Sequence, residues 1–257
     1  MGRAAAAGVA PGWLAYAPAK RLLERDGRAG SAAVIGRVER DLRRAGLTPP
    51  VWSLADEPSN PGQPAQDLKD WIAAIRTQAP GARIAAQLNT PADRPLIAAF
   101  DAVLLNDGYG LDVATLADAK ARGPDVWLYN TGKPRLTAGI WLWITSASRY
   151  VQWHARMPTG DPFDPTDGRE GDVQALLPSR GVCEVSSIDR SVLEMADGII
   201  DQRWLSWLSD APGDAAGGLR QNLMARLPTR WAAAVKLTPS SLHELRQSII
   251  EVARQTH

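Results

Sequence analysis

Short apolar runs alternate with amphipathic stretches along most of this chain. The apolar runs are bounded by Pro, Gly, Asn or Asp, and they predict strands at residues 13–16, 51–55, 83–88, 101–105, 125–129 and 149–153. Helical spacing of apolar residues predicts helices between them, at residues 31–45, 67–78 and 112–121. Residues 137–147 are predicted to be helical in spite of their β-forming residues, because the alternation of strands and helices requires a helix there. Strands separated by single helices require right-handed crossovers, so the pattern predicts a parallel sheet.

The number of strands restricts the fold. Consecutive βα units with polar residues at the strand ends favour a (β/α)8 TIM-type barrel over a doubly wound sheet. No Gly-rich phosphate loop follows a strand, which argues against a nucleotide-binding fold. A full barrel has eight strands, and this chain supplies about six, so we predict an α/β fold that is a partial TIM-type barrel. The edge near the first strand should then be exposed, or irregularly covered by residues 1–30.

The predicted barrel extends over residues 31–209, after a poorly defined segment at residues 1–30. Residues 158–181 are rich in Asp, Pro and Gly and predict a long loop of the kind that often forms an active-site lid. The apolar spacing of residues 187–208 predicts a long helix that is interrupted near Gly198.

Residues 210–257 are predicted to contain a linker and a C-terminal helix that packs on the barrel. The small residues at 210–218 indicate that the linker is flexible. Ser240 or Ser241 can cap the terminal helix, with Glu244 placed to complete a capping box.

Composition excludes several classes of function. The net charge is +1, from 29 basic and 28 acidic residues, so we expect no nucleic-acid partner. No apolar run approaches the roughly 20 residues that span a bilayer. The Ala-rich N-terminus is a poor signal peptide, which leaves the compartment open. The single Cys183 excludes an internal disulfide, and the three histidines lie far apart, so we predict no metal and no cofactor.

Residues 50–58 combine an apolar run with two adjacent carboxylates, Asp56 and Glu57, followed by Pro58. In α/β folds the carboxyl ends of strands are where active sites are built. Two neighbouring carboxylates repel each other, which favours the protonated form that a general acid needs. A solvated acidic turn or a helix N-cap is an equally open interpretation of the same residues.

Five motifs, in this order, resemble the catalytic domain of glycoside hydrolase family 123 and its uncharacterised bacterial relatives. They are WSLADEP at 52–58, WLYNTG at 127–132, GIWLW at 139–143, Trp153, and DGIID at 197–201. The resemblance implies a β-sandwich that precedes a (β/α)8 barrel, and hydrolysis of β-linked N-acetylgalactosamine with help from the substrate's own acetamido group. It also implies that the sandwich and the first barrel strands belong to a longer protein.

The resemblance implies different roles for the two carboxylates. Glu57 would be the general acid that protonates the leaving oxygen and later activates water. Asp56 would orient the acetamido nitrogen, so that the acetamido oxygen attacks the anomeric carbon and forms an oxazolinium intermediate. Such substrate-assisted catalysis retains the anomeric configuration.

The predicted substrate-binding residues are Tyr129, Asn130, Trp153, Asn106 and Trp143. Tyr129 and Asn130 end a predicted strand and could hydrogen-bond the acetamido oxygen or a sugar hydroxyl, although ordinary strand-end capping is an equal alternative. Trp153 is predicted to be a sugar platform, because tryptophan packs well on the apolar face of a sugar ring.

Other polar and aromatic positions are less specific. Trp141 and Trp143 lie two apart on a predicted helix, so at least one of them should serve packing. His154 is a weaker ligand candidate than its neighbour Trp153, and residues 197–201 are predicted to be structural. The remaining strand-end candidates are Asn89 and Asp107.

Two classes of function stay open. The first is a hydrolase of 2-acetamido sugars, which the Asp56–Glu57 pair favours. The second is an inactive or carbohydrate-binding relative, which the short N-terminus favours. Carbohydrate is the expected partner in both. If the acetamido group does not assist, Glu184 or Asp107 would have to supply a separate carboxylate nucleophile.

Overall fold

Six short strands form the main sheet of the computed structural model, and they lie side by side in chain order. They are β1 (Leu14–Ala15), β2 (Val51–Asp56), β3 (Arg83–Leu88), β4 (Ala102–Leu105), β5 (Asp125–Tyr129) and β6 (Arg149–Val151). The strands are parallel, as the ladders of β1 with β2, β2 with β3, β3 with β4 and β5 with β6 show. This confirms the predicted α/β class and a partial barrel with six strands.

The structure describes residues 14–15, 17–59, 65–152, 156–157, 173–174 and 188–255. They belong to two compact units. The first unit lies within Met1–Gly110 and Asp118–Val126, and the second lies within Leu111–Ala117 and Trp127–His257.

Helices alternate with the strands. They are α1 (Ala17–Arg44), α2 (Ala65–Gln78), a 3₁₀ segment (Pro91–Ala99), α3 (Val113–Ala121), α4 (Pro134–Leu136, the π-helical turn Thr137–Trp141, and Leu142–Thr145), α5 (Arg190–Asp210), α6 (Asp214–Arg226), α7 (Trp231–Ala234) and α8 (Pro239–Gln255). A separate antiparallel pair is formed by β7 (Arg156–Met157) and β8 (Val173–Gln174).

Helices α1 and α2 of the first unit are held in place by tryptophans. The Trp52 indole on β2 donates a hydrogen bond to Glu39 of α1 at 2.9 Å, and the Trp71 indole on α2 donates to Ser31 of α1 at 2.9 Å. Both rings are at least 97% buried. These two tryptophans therefore belong to the core, so the high tryptophan content is not by itself a sign of sugar binding.

Two helix predictions differ from the structure. Helix α1 consists of two helical segments that meet in a kink at Gly27, whose φ of 64° is a left-handed value that glycine adopts without strain, and the prediction at residues 31–45 missed the first segment. Helix α5 continues through Gly198 without interruption. It begins after Asp189, which accepts a hydrogen bond from the Ser191 amide at 2.7 Å. Hydrogen bonds from the Ser191 side chain and from the Ser191 amide lower the pKa of the Asp189 carboxyl.

Two predictions near the C-terminus are also wrong. The supposed flexible linker becomes helical at Asp214, and its small residue Ala216 is fully buried, so tertiary packing overrides the weak helix propensity of this segment. The cap of α8 is Thr238. Its hydroxyl accepts from the Ser241 amide at 3.1 Å, and the Ser241 hydroxyl accepts from the Thr238 amide at 2.9 Å.

Candidate active site

The carboxyl end of β2 carries Asp56 and Glu57, as the sequence predicts. Asp56 is the last residue of the strand, and both side chains are partly exposed. Glu57 has a φ of 53°, a left-handed conformation that only glycine adopts freely. Its amide nevertheless donates to the Gln87 carbonyl of β3 at 2.9 Å, which fixes the turn. The chain therefore leaves the strand at Glu57 in a strained and well-defined conformation.

A register shift precedes the two carboxylates. Ser53 pairs with Ala85, but Ala55 pairs with Ala86, so one additional residue of β2 lies between the paired positions. Such a bulge bends a strand locally and redirects the side chains after it, and bulges are common next to active sites. The buried Ser53 hydroxyl also donates a hydrogen bond to the side chain of Gln87. The bulge and the left-handed Glu57 together interrupt the regular alternation of side chains at this strand end.

The carboxyl end of β3 is tied to the loop that follows β2. The fully buried Asp93 of the 3₁₀ segment accepts a hydrogen bond from the hydroxyl of Ser59, two residues after Glu57. Its second oxygen lies 3.3 Å from the amides of Asn89 and Thr90. Asp93 thus fixes the loop after the Asp56–Glu57 pair as well as the end of β3.

Asn89 has an unusual side chain. Within the part of the chain that the structure describes, its Oδ1 is the single buried side-chain oxygen or nitrogen with no hydrogen-bond partner. A buried carbonyl oxygen without a donor is costly, by about 1–3 kcal/mol. Asn89 was a minor candidate from the sequence, and this unused acceptor makes it a stronger one.

The carboxyl end of β4 is folded closely against β3. The Asn106 side-chain oxygen accepts from the amides of Gly108 at 3.0 Å and Tyr109 at 3.3 Å, which makes a compact turn. A Cβ atom at Gly108 would lie only 2.3 Å from the Asn89 carbonyl oxygen, so this position requires glycine. Asn106 therefore has a structural use in its own loop, and Asp107 beside it is exposed.

The first unit thus brings the ends of three neighbouring strands together at one edge of its sheet. This edge offers two adjacent, partly exposed carboxylates on a fixed backbone. Carboxylates in such a position can donate or accept a proton, or hold an N–H group of a ligand. Sequence analysis missed Gln87 and Asp93, although a glutamine inside the apolar run of β3 was a visible signal.

In the second unit, polar residues follow β5 and β6. Tyr129 is buried at the end of β5, and the exposed Asn130 has a left-handed φ of 48°. The Asn130 amide donates to the Val151 carbonyl of β6 at 3.0 Å, and its side-chain oxygen accepts from Gln152 at 3.4 Å. The predicted residue Asn130 is therefore accessible to a ligand, whereas sequence analysis did not identify Gln152.

The motifs at residues 139–143 and 197–201 meet at a close contact between α4 and α5. A Cβ atom at Gly198 would lie 2.5 Å from the Arg135 carbonyl oxygen and 2.9 Å from the Cβ of Ala138. A Cβ atom at Gly139 would lie 3.1 Å from the Gly198 carbonyl oxygen. The two glycines therefore serve helix packing.

Asp201 is the charged centre of the same contact. It is 2% exposed, and it accepts hydrogen bonds from Arg135 of α4 at 2.8 Å and from Arg246 of α8 at 2.5 Å. Arg246 also donates to the Asp197 carbonyl at 2.9 Å. The contacts of this cluster link α4, α5 and α8, in agreement with a structural role for residues 197–201.

The two tryptophans of α4 have different environments. Trp141 is fully buried, and its indole donates to the Leu111 carbonyl at 3.0 Å. Trp143 is partly exposed, and its indole donates to the Ser209 hydroxyl of α5 at 2.7 Å. Trp141 is therefore a packing residue, and Trp143 lies on a helix rather than at a strand end.

Several sequence candidates lie outside the described residues. They are Trp153, His154, Glu184 and most of the predicted lid at residues 158–181. Among the residues that are described, no group of three or more His, Cys, Asp and Glu side chains could hold a metal ion. None of the helices in these ranges is long and apolar enough to cross a membrane.

Comparisons with known proteins agree with the fold. No protein-family model and no curated protein matches this sequence. A solved structure of a family 123 glycoside hydrolase from Clostridium perfringens, studied for the details of glycolipid glycan hydrolysis, is similar with a TM-score of 0.58 at 12% sequence identity. The match covers 86% of this chain but only 44% of that one. This chain therefore has the fold of one part of a family 123 glycoside hydrolase, as a distant structural relative.

Proposed function

We propose that this chain carries the acid–base site of a glycoside hydrolase that acts on β-linked 2-acetamido sugars, such as N-acetylgalactosaminides. The observation that carries the proposal is the Asp56–Glu57 pair at the carboxyl end of β2, with Glu57 in a left-handed backbone conformation. A non-glycine residue in a strained conformation costs about 1–3 kcal/mol and is typical of functional sites. The similar fold of a family 123 glycoside hydrolase supports the same reaction class.

The proposed reaction uses the two carboxylates together. Glu57 donates a proton to the glycosidic oxygen as its bond to the anomeric carbon breaks. Asp56 accepts a hydrogen bond from the acetamido N–H, which makes the acetamido oxygen a better nucleophile toward the anomeric carbon. The Glu57 carboxylate then removes a proton from water, and this water opens the oxazolinium ring and regenerates the β-anomer. No second, distant carboxylate nucleophile is required.

The two adjacent residues can share one sugar only if both side chains reach it. In a regular strand, neighbouring side chains point to opposite faces. The left-handed turn at Glu57 ends that alternation immediately after Asp56. The hydrogen bond from the Glu57 amide to Gln87 holds this turn in place, so the local structure supports joint action of the pair.

The test compares two chromogenic substrates with the full chain. We expect hydrolysis of para-nitrophenyl N-acetyl-β-galactosaminide and much slower hydrolysis of para-nitrophenyl β-galactoside, which has no acetamido group. Asp56→Asn should lower turnover, whereas the matched Asp107→Asn change at an exposed strand-end carboxylate should not.

Three outcomes would count against the proposal. Equal hydrolysis of both substrates would rule out substrate assistance, and a large loss in Asp107→Asn would make Asp107 the nucleophile. Tight binding of N-acetylgalactosamine with no turnover of either substrate would favour a carbohydrate-binding relative instead.

A further inference from the structure

A chain of hydrogen bonds joins the ends of β5 and β6 and reaches the surface at Asn130. The Tyr150 hydroxyl donates to the side-chain oxygen of Gln152, and the Gln152 side-chain nitrogen donates to Oδ1 of Asn130 at 3.4 Å. Tyr150 and Gln152 are partly buried, whereas Asn130 is exposed. Asn130 is therefore the member of this chain that a ligand can reach most easily.

At the buried end of this series of hydrogen bonds, the donors and acceptors are fixed. The Thr137 hydroxyl donates to the Lys133 carbonyl at 2.9 Å, so it has no proton left for the Thr131 hydroxyl, which lies 2.5 Å away. Thr131 must therefore donate to Thr137. Both threonine side chains are at least 99% buried, so water does not compete for these protons.

The Tyr150 hydroxyl has a single proton to donate. It lies 3.3 Å from both the hydroxyl and the carbonyl oxygen of Thr131, but its contact with the Gln152 side-chain oxygen is much shorter. In the structure the Gln152 amide has its oxygen on the Tyr150 hydroxyl and its nitrogen on Asn130. Because the Asn130 oxygen faces Gln152, the Asn130 amide presents its NH2 group, with two N–H donors, to a ligand.

We infer that Gln152 is a positioning residue, which turns the Asn130 amide so that Asn130 selects an acceptor oxygen on the sugar. The acceptor is the carbonyl oxygen of the acetamido group or a ring hydroxyl. This inference rests on the proposed function, because it assigns Asn130 a contact with the proposed substrate. The backbone supports it, since the Asn130 amide is bonded to Val151 and its φ of 48° is fixed by the turn.

Gln152→Glu is the sharpest test, because a carboxylate has the same shape but accepts hydrogen bonds only. Asn130 would then turn its nitrogen toward Glu at position 152 and present its oxygen to the sugar. We expect the Kd for N-acetylgalactosamine to rise about tenfold, the effect of one lost hydrogen bond. In the hydrolysis assay, KM should rise while kcat changes little, because the contact exists in both ground and transition states.

A double-mutant cycle separates positioning from a general structural role. If Gln152 acts only through Asn130, Gln152→Glu should have no further effect on the Kd in the Asn130→Ala background. The matched control is Gln202→Glu on α5, where a partly buried glutamine donates to the Ser206 hydroxyl at 3.0 Å. This control should leave the Kd unchanged.

A parallel titration with galactose identifies the acceptor oxygen. A loss of affinity confined to N-acetylgalactosamine would identify the acetamido oxygen, and an equal loss for galactose would identify a hydroxyl. Wild-type affinity in Gln152→Glu, or effects that add in the double mutant, would overturn the inference and leave the proposed function standing. If the wild-type chain neither binds nor hydrolyses the sugar, both proposals fail.

Discussion

Two motif-rich regions of this chain use their charged residues in opposite ways. At the end of β2, Asp56 and Glu57 remain partly exposed, and Glu57 keeps a strained backbone. In the contact between α4 and α5, Asp201 is 2% exposed and both its oxygens are used by two arginines. Both regions carry sequence motifs, so the motifs alone do not distinguish them.

The difference lies in how far each region exposes its carboxylates to solvent. The helix contact pairs its buried carboxylate completely and uses its glycines to bring backbones together, which is a structural use. The strand end keeps accessible carboxylates in a conformation that opposes stability, which is typical of a functional site. Accessible polar groups and backbone strain therefore distinguish these two motifs better than their residue types do.

The largest expected effect is on catalysis at the strand end. Glu57→Gln removes the proton donor, so kcat/KM for alkyl glycosides of N-acetylgalactosamine should fall about 10²–10⁴-fold. Aryl glycosides with good leaving groups should lose less, since they need less protonation. Steady-state assays with both substrates measure this difference, and Glu244→Gln at an exposed position of α8 is the control. An equal loss for both leaving groups would contradict the assignment of Glu57 as the acid.

The next effect concerns the buried carboxylate of the helix contact. Asp201→Asn removes the charged partner of Arg135 and one of the two carboxylates that Arg246 contacts, and both arginines are about 85% buried. Breaking a buried ion pair in this way costs about 3–5 kcal/mol of unfolding free energy. Urea unfolding followed by circular dichroism measures this cost.

Asp118 provides a matched control for Asp201. It also lies between two arginines, Arg94 at 2.7 Å and Arg122 at 3.1 Å, but its side chain is 39% exposed. Hydrogen bonds from Arg122 and Arg94 lower the pKa of its carboxyl. Because water replaces lost partners at the surface, Asp118→Asn should leave the unfolding midpoint almost unchanged. Equal destabilisation by the two changes would show that burial is not what matters at Asp201.

A smaller effect is expected at the glycine contact. Gly198→Ala would place a methyl group 2.5 Å from a backbone oxygen, so α4 and α5 must separate, at a cost of about 1–3 kcal/mol. Gly218→Ala on the exposed side of α6 meets no atom within 4 Å. That change should instead stabilise the protein by about 0.5–1 kcal/mol, because alanine favours a helix. In differential scanning calorimetry, the Tm of Gly198→Ala should fall and the Tm of Gly218→Ala should rise.

Much of the fold follows from local sequence patterns. Strands β3 and β5 have their predicted bounds because each apolar run is closed by residues that favour turns. The position of Asp56 and Glu57 at a strand end follows from the same rule. The helix at residues 214–226 could not be predicted, because it depends on the burial of Ala216 by distant parts of the chain.

The groups that support the candidate site could not be predicted from the sequence either. Asp93 is placed by Ser59, 34 residues away, and Asn130 by Gln152, 22 residues away. No local pattern connects such partners, because strand pairing in the folded chain brings them together. The left-handed conformation of Glu57 has no sequence signal either, since glutamate rarely adopts it.

The most direct test of the contrast is Glu57→Gly, with unfolding free energy and turnover measured on the same sample. Glycine at position 57 removes a backbone penalty of about 1–2 kcal/mol from the folded state. The greater entropy of glycine in the unfolded chain offsets this gain by about 0.5–1 kcal/mol. The variant should therefore be at least as stable as the wild type, and it should not hydrolyse the alkyl N-acetylgalactosaminide. A variant that is clearly less stable, or that keeps wild-type turnover, would contradict the account of this strand end as a strained catalytic site.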